Sequence, residues 1–290
     1  MQVIHHSATK GVALETTLLI HGVPRGEGAK LAAELEAIVA SEGATPLCVG
    51  IIEGVPVVGL SRDQLATLLA KDSVAKANTA NMGVLLHRRR DGATTVSTTM
   101  ECAAAAGVRV FATGGLGGVH MGYGQRLDIS ADLAAFTRFP VAVVTSGVKS
   151  ILDVVSTREA LETLGVCVVG FRTDRFPAFY LRESEAGVDA RFDDERELAS
   201  FVKAELARTG RGIVVANPIP AEHELPRDLW QTWLAQAVRD TADVAASGRD
   251  VTPALLGRLH ALSGGRTLTA NIELVKSNAR LAAKLAAAMG

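Results

Sequence analysis

Short apolar runs rich in β-branched residues alternate along the chain with amphipathic or alanine-rich stretches of roughly 10–16 residues. That alternation is the signature of an α/β protein, in which helices return the chain between parallel strands. The clearest strands are Val108–Thr113, Val141–Thr145, Val166–Phe171 and Gly212–Ala216, where nearly every position is apolar. A strand reads this way when helices cover both of its faces, so the pattern predicts a three-layer α/β/α architecture with a largely parallel sheet. Thr45–Ile52 and Val55–Leu60 are separated only by Glu53-Gly54, which is a turn and not a crossover. These two segments predict a hairpin and hence a mixed sheet.

Two helix starts stand out: Ser61 with Gln64, and Ser156 with Glu159, each a capping serine followed three residues later by a side chain that can reach back. The last part of the chain loses its strand signals and predicts a helical C-terminal region over Leu229–Ala246, Thr252–Leu262 and Thr269–Ala288. No linker, charge block or repeat divides residues 1–290, and one domain is the expectation.

Composition narrows the functional classes. A hydrophobic share of 48% in 290 residues supports a sizeable core without staples. Lys plus Arg total 30 against Asp plus Glu 31, so charge gives no reason to expect nucleic acid or an anionic membrane as partner. A small molecule is the expected ligand. Cys48, Cys102 and Cys167 form no CxxC pair and are expected to be reduced core thiols. The first residues lack a basic stretch followed by an apolar run, and no segment approaches ~18 consecutive apolar residues, which points to a cytoplasmic protein.

Chemistry is suggested at four places. Lys149 follows the apolar strand Val141–Thr145, where open α/β sheets bind ligands, and a desolvated lysine there can attack a carbonyl-like carbon as the neutral amine; a loop lysine reaching water is the other reading. Glu15 is the sole charge in Gly11–Ile20, either a proton donor with raised pKa or a solvent-facing edge residue. The glycine loop Gly114–Gly118, ending near His120, can bring backbone amides to an anion or can simply bend the chain. Asp128 to Asp132 reads as the capped start of a helix, or Asp128 as a ligand of a hard divalent ion completed by water.

Read together, Ala13-Leu14-Glu15-Thr16-Thr17, His21-Gly22-Val23-Pro24, Phe111 to His120, Asp128-Ile129-Ser130-Ala131-Asp132-Leu133 and Lys149-Ser150-Ile151-Leu152-Asp153 strongly resemble the pseudouridine-5′-phosphate glycosidase family, also called indigoidine synthase A-like. Gly92 to Val96, Thr173 to Phe179, Ala216-Asn217-Pro218-Ile219-Pro220 and Ala270-Asn271-Ile272 continue the match in order along almost the whole chain. The resemblance implies Lys149 as nucleophile, Glu15 as proton donor and Asp128 as ligand of one Mn²⁺-type ion. It implies substrate contacts from Lys76, Val96, Ser130, Ala131 and Asp132, with Thr113, His120 and Asn271 as further candidates by position. A homotrimer is also implied. The chain departs from the family pattern at Thr16, at Met121 where a basic residue is common, and at Thr145-Ser146-Gly147-Val148.

The activity implied is reversible cleavage of the carbon–carbon glycosidic bond of pseudouridine 5′-phosphate to uracil and ribose 5-phosphate. Glu15 would protonate the base, Lys149 would hold the opened sugar as an imine, and Lys76 with Thr113 would anchor the phosphate. Another lysine-imine phosphosugar lyase, or a binding protein that senses a phosphosugar or nucleotide, would use only part of this set.

Overall fold

The computed structural model describes residues 4–5, 10–122, 124, 127–241 and 248–290. Its strands are β1 (Ile4–His5), β2 (Gly11–Glu15), β3 (Thr45–Ile52), β4 (Val55–Val58), β5 (Ala75–Ala77), β6 (Gly92–Thr94), β7 (Val110–Ala112), β8 (Val119–His120), β9 (Ala142–Thr145), β10 (Leu152–Asp153), β11 (Val168–Phe171), β12 (Ala190–Phe192) and β13 (Ile213–Ala216). Its helices are α1 (Thr16–His21), α2 (Glu27–Ser41), α3 (Arg62–Ala70), α4 (Met82–His87), α5 (Val96–Ala105), α6 (Ala131–Phe136), α7 (Val154–Thr163), α8 (Glu195–Thr209), α9 (Arg227–Asp240), α10 (Gly248–Leu262) and α11 (Arg266–Met289).

The main sheet runs β1-β4-β3-β2-β7-β9-β13-β11-β12, with β6 and β5 joined beside β3. From β3 to β12 every neighbouring pair on this path is parallel. The centre of the sheet is as dry as the continuous apolar runs predict: Val143, Val144, Val214 and Val215 are completely buried. Helices α2, α8 and α11 pack together on one side, with α11 lying across β2, β7 and β9, while α5 and α6 pair on the other. This is the three-layer α/β/α arrangement, and the β3–β4 hairpin supplies the antiparallel component. Its turn places Glu53 at φ 49° and Gly54 at φ 78°, the two left-handed positions that match the twist of a two-residue hairpin.

Local caps explain where helices begin. Ser61 and Gln64 form the expected reciprocal pair, with bonds of 3.2 and 2.9 Å. The expectation at Ser156 is corrected: α7 begins at Val154 and its cap is Asp153, whose carboxylate accepts from Ser156 N at 2.9 Å and from the Ser156 hydroxyl at 2.8 Å. An acidic cap outcompetes the serine because a charged acceptor binds the first-turn amides more strongly. The three C-terminal helices start two to four residues earlier than the hydrophobic periodicity suggests, at Arg227, Gly248 and Arg266, because first turns can be polar; the first ends at Asp240, and positions 242–246 of its expected span lie outside the described residues. No described helix is long and apolar enough to cross a membrane. Cys48, Cys102 and Cys167 are unpaired, and burial pushes the first two thiols up to about 12.

Candidate functional site

Glu15 is presented by a change of strand. The β2 ladder against β3 ends at the pair Glu15–Val49, and from Gly50 onward the same edge of β3 is taken over by β6. The gap is filled by hydroxyl groups: Thr16 and Thr94 both donate to Val49 O, at 2.9 and 2.7 Å, and Thr17 donates to Ala93 O at 3.0 Å. These bonds replace ladder bonds and let the chain leave the sheet as α1, with Glu15 as its N-terminal flanking residue. Because β5 pairs with β6 in the register Lys76–Ala93, the same handover brings Lys76 to this end of the sheet.

Two loops close the other side. The glycine loop leaves β7 and the lysine loop leaves β9, and they are laced together by Ser146 N to Gly114 O, Leu116 N to Gly147 O and Lys149 N to Leu116 O, at 2.9, 2.9 and 3.2 Å. Gly147 has φ +85°, and a Cβ there would lie 1.8 Å from Pro177 O, so the turn toward Lys149 requires glycine. Gly117 is also close-packed, against side chains: a Cβ there would meet the Ser130 hydroxyl at 2.3 Å and the Asp132 carboxylate at 2.7 Å. Asp132 is buried and ties two segments together, accepting from Ser97 N at 3.0 Å and from Gly117 N at 2.9 Å.

Between these walls lies a cavity of about 290 Å³ whose lining includes Glu15, Lys76, Thr113, Lys149 and Asn271. Five of the residues expected from sequence thus meet in one space, although they come from β2, β5, the two loops and α11. The rest of the wall is mainly apolar, from Leu18, Val23, Ile151, Phe179, Tyr180 and Leu268. Only 7% of Glu15 is exposed, and burial is the first cause that raises its pKa from 4.5 to about 7. Lys149, the Thr113 hydroxyl and Lys76 oppose the rise, and the nearby charge of Asp132 adds to it. A carboxyl poised near neutrality opposite a lysine can give and take a proton at physiological pH.

Thr113, expected as a phosphate anchor, stands beside Glu15. Its hydroxyl donates to Glu15 Oε1 and is thereby committed to the carboxyl group. Asn271 donates its Nδ2 to Gly22 O at 3.1 Å, which fixes the amide orientation and leaves the buried Oδ1 without a partner. An acceptor so placed in a cavity wall is suited to a ligand N–H or O–H.

The remaining predicted residues lie outside this lining. Val96 is buried at the first turn of α5, joined to the Lys76 region by Thr95 N to Ala77 O at 2.9 Å. Ser130 caps α6 through Asp132 N at 3.2 Å, and Ala131 is the first residue of that helix. His120 lies in β8, which pairs with β10 just beyond Lys149, and its Nδ1 is 3.8 Å from Asp128 Oδ2. About half of the Asp128 side chain is exposed, and no group of three His, Cys, Asp or Glu side chains suited to a metal occurs among the described residues. One hard carboxylate open to solvent fits a Mn²⁺-type ion whose other ligands are water or substrate oxygen, and does not fit a closed protein cage.

His21, which the sequence offers only as part of the resemblance segment His21–Pro24 and with no role of its own, lines the cavity. Its Nε2 lies 3.0 Å from Val74 O, and a carbonyl can only accept, so this nitrogen carries the proton. Burial and then Lys76 lower its pKa, keeping the ring neutral. A histidine in the last turn of a short apolar helix does not announce such a position. Asn278 also escapes a sequence reading of function, and Asn217 enters it only within the resemblance segment Ala216–Pro220; two asparagines seven residues apart, 271 and 278, on the apolar stripe of α11 are the available clue.

Comparisons with known proteins identify the family and the fold. The model of the family described as indigoidine synthase A like protein matches residues 3–288. A pseudouridine-5′-phosphate glycosidase of a Nocardioides species is 46% identical over 277 residues, covering 95% of this chain and 90% of that protein. Its counterpart in Dinoroseobacter shibae is 44% identical over 279 residues, covering 96% and 92%. Among solved structures, an indigoidine synthase A-like protein from Thermotoga maritima superposes with a TM-score of 0.89 at 34% identity, covering 98% of this chain and 95% of that one. The prealnumycin C-glycosynthase AlnA, solved in complex with ribulose 5-phosphate, gives 0.88 at 34% identity, covering 96% and 91%.

Proposed function

The chain belongs to the indigoidine synthase A-like family, and on that premise we propose that it is an enzyme that reversibly cleaves pseudouridine 5′-phosphate to uracil and ribose 5-phosphate. The observation that carries the reading is the enclosure of Glu15, near neutrality in its proton affinity, in one cavity with Lys149 and Lys76. A C-glycosidic bond has no heteroatom leaving group, so its electron pair must depart on carbon. Lys149 Nζ, as the neutral amine, bonds to ribose C1′ as the C1′–O4′ bond opens, and the proton the nitrogen then sheds goes to O4′ as it becomes a hydroxyl. When the C1′–C5 bond then breaks, its electron pair goes to uracil C5, which takes a proton from Glu15, and the lysine nitrogen supplies the pair that makes the imine at C1′. Water hydrolyses the imine and releases ribose 5-phosphate; uracil attacking the imine runs the sequence backwards.

The other residues bind and orient. Lys76 holds the 5′-phosphate as a cation, with Val96 and the Ser130, Ala131 and Asp132 run as further substrate contacts. Thr113 keeps the Glu15 carboxyl turned toward the base, and Asn271 Oδ1 accepts from a substrate N–H or O–H. His120 and Asp128 lie side by side outside the cavity lining, and Asp128 would hold one Mn²⁺-type ion; such an ion polarises oxygen ligands and orders water around it. The subunits assemble as homotrimers, which a sedimentation measurement tests.

The experiment is turnover of pseudouridine 5′-phosphate with added Mn²⁺ by the wild type and by Lys149→Ala, in both directions. Uracil release by the wild type alone, with the variant folded, supports the reading. A wild type that forms a borohydride-trapped adduct with ribose 5-phosphate but never makes or uses uracil would instead indicate another lysine-imine phosphosugar lyase.

A further inference from the structure

Asn278 lies on α11 seven residues after Asn271, completely buried among Leu274, Val275, Leu281 and Ala282 of the same apolar stripe. Packing alone would accept a leucine here. The amide instead serves the ends of three adjacent strands. Its Nδ2 donates to Thr113 O at 2.8 Å, just past β7, and to Ser146 Oγ at 3.1 Å, just past β9; Gly114 O lies 3.5 Å away. Its Oδ1 accepts from Asn217 Nδ2 at 2.9 Å, just past β13, and lies 3.4 Å from Ser146 Oγ. The orientation is forced, because the carbonyls on one side only accept and the Asn217 amide nitrogen on the other only donates. Asn217 is itself fixed by Asn217 N to Thr145 O at 2.8 Å and Asn217 Nδ2 to Ser277 Oγ at 3.1 Å.

Both chains of contact lead to the reacting groups. Thr113, held through its carbonyl, donates its hydroxyl to Glu15. Ser146 begins the loop that turns at Gly147 and carries Lys149, and Ser146 O also accepts from the cavity residue Phe179 at 2.9 Å. We propose that Asn278 is a positioning residue, which fixes the glycine loop and the lysine loop against each other so that the proton donor and the nucleophile face the same substrate carbon atoms. This rests on the roles proposed above for Glu15 and Lys149.

Asn278→Leu keeps the volume and removes the polar bonds. The loosened Thr113 hydroxyl no longer favours the ionised form of Glu15, and a Lys149 held less firmly against the carboxyl favours it less as well, while Lys76 and Asp132 near the carboxyl, and His21 in the cavity wall, keep their places. The Glu15 carboxyl, followed by ¹³C NMR, is therefore expected to titrate at higher pH than in the wild type. Thr113→Val should give a displacement of the same sign, and the double variant no more than Asn278→Leu alone. In turnover, kcat falls by about a hundredfold while KM stays within about threefold.

A folded Asn278→Leu protein in which Glu15 titrates as in the wild type, or a double variant whose displacements add, overturns the proposal. Should Asn278→Leu fail to fold, Asn217→Ala removes only the far donor; a smaller displacement of the same sign is expected, and none would overturn it. The carboxyl titration needs no turnover. A wild type inactive on pseudouridine 5′-phosphate whose Glu15 still responds to these substitutions would defeat the glycosidase reading and leave the positioning role standing.

Discussion

At the carboxyl ends of β2, β7 and β9 the cavity measures about 290 Å³ and faces Glu15 and Lys149; at the opposite ends of β2 and β7 a larger recess of about 490 Å³ lies between Lys10, Arg109 and Lys203. The larger space has the simpler chemistry. Its cations are exposed, and two of them reach backbone carbonyls, Lys203 to Met289 O at 2.9 Å and Arg109 to Pro140 O at 3.4 Å. Carbonyls of this kind are surplus at helix and strand ends, and basic side chains complement them. In the smaller cavity a carboxyl is desolvated against apolar walls with a lysine opposite it, so the two environments act on each other. Reactivity follows from dehydration and convergence of ionisable groups, and volume does not predict it.

The sharpest break of that comparison is Lys149→Ala, expected to lower uracil release by on the order of 10⁴-fold or more and to abolish borohydride trapping with ribose 5-phosphate. Glu15→Gln removes the proton and should cost about 10²–10⁴-fold in kcat while trapping by Lys149 persists. The same substitution tests the electrostatics through stability. A carboxyl whose folded pKa is raised from 4.5 to about 7 destabilises the folded state progressively as pH rises through that window, and not below it. Glu15→Gln should therefore gain on the wild type between pH 4 and pH 8 by on the order of 3 kcal/mol, read from denaturant midpoints at the two pH values.

A finer test is the alkaline limb of kcat. Activity in the cleavage direction should fall as pH rises past about 7, where Glu15 loses its proton. Asp132→Asn removes a neighbouring negative charge that favours that proton, so the limb should move to lower pH. The smallest effect is expected at the other end of the strands: Lys203→Ala should leave kcat/KM within about twofold and change stability by less than ~1 kcal/mol, since it removes one exposed cation. A large loss there would erase the contrast between the two ends.

Much of the fold is legible in the chain itself. The central strands announce themselves because burial on both faces forces continuous apolar runs, and the β3–β4 hairpin does so because two residues cannot make a crossover. The short strands β1, β5, β8, β10 and β12 do not, since two or three residues carry no periodicity. The cap of α7 falls on Asp153 and not near Ser156 because both are acceptable first-turn partners, and the choice depends on where the chain enters the helix.

At the site, the residue types that do chemistry are visible in the chain: an isolated carboxyl in an apolar segment, a lysine after a buried strand, glycines where backbones approach. Those features are local, so the sequence by itself determined them. The proton affinity of Glu15, the pairing of the Thr113 hydroxyl with its carboxyl, the neutral His21 and the three-strand junction at Asn278 depend on groups far apart in the chain. Only the tertiary structure decided them, because desolvation and hydrogen-bond partnership belong to positions in space, which the order of residues does not state until the sheet is assembled.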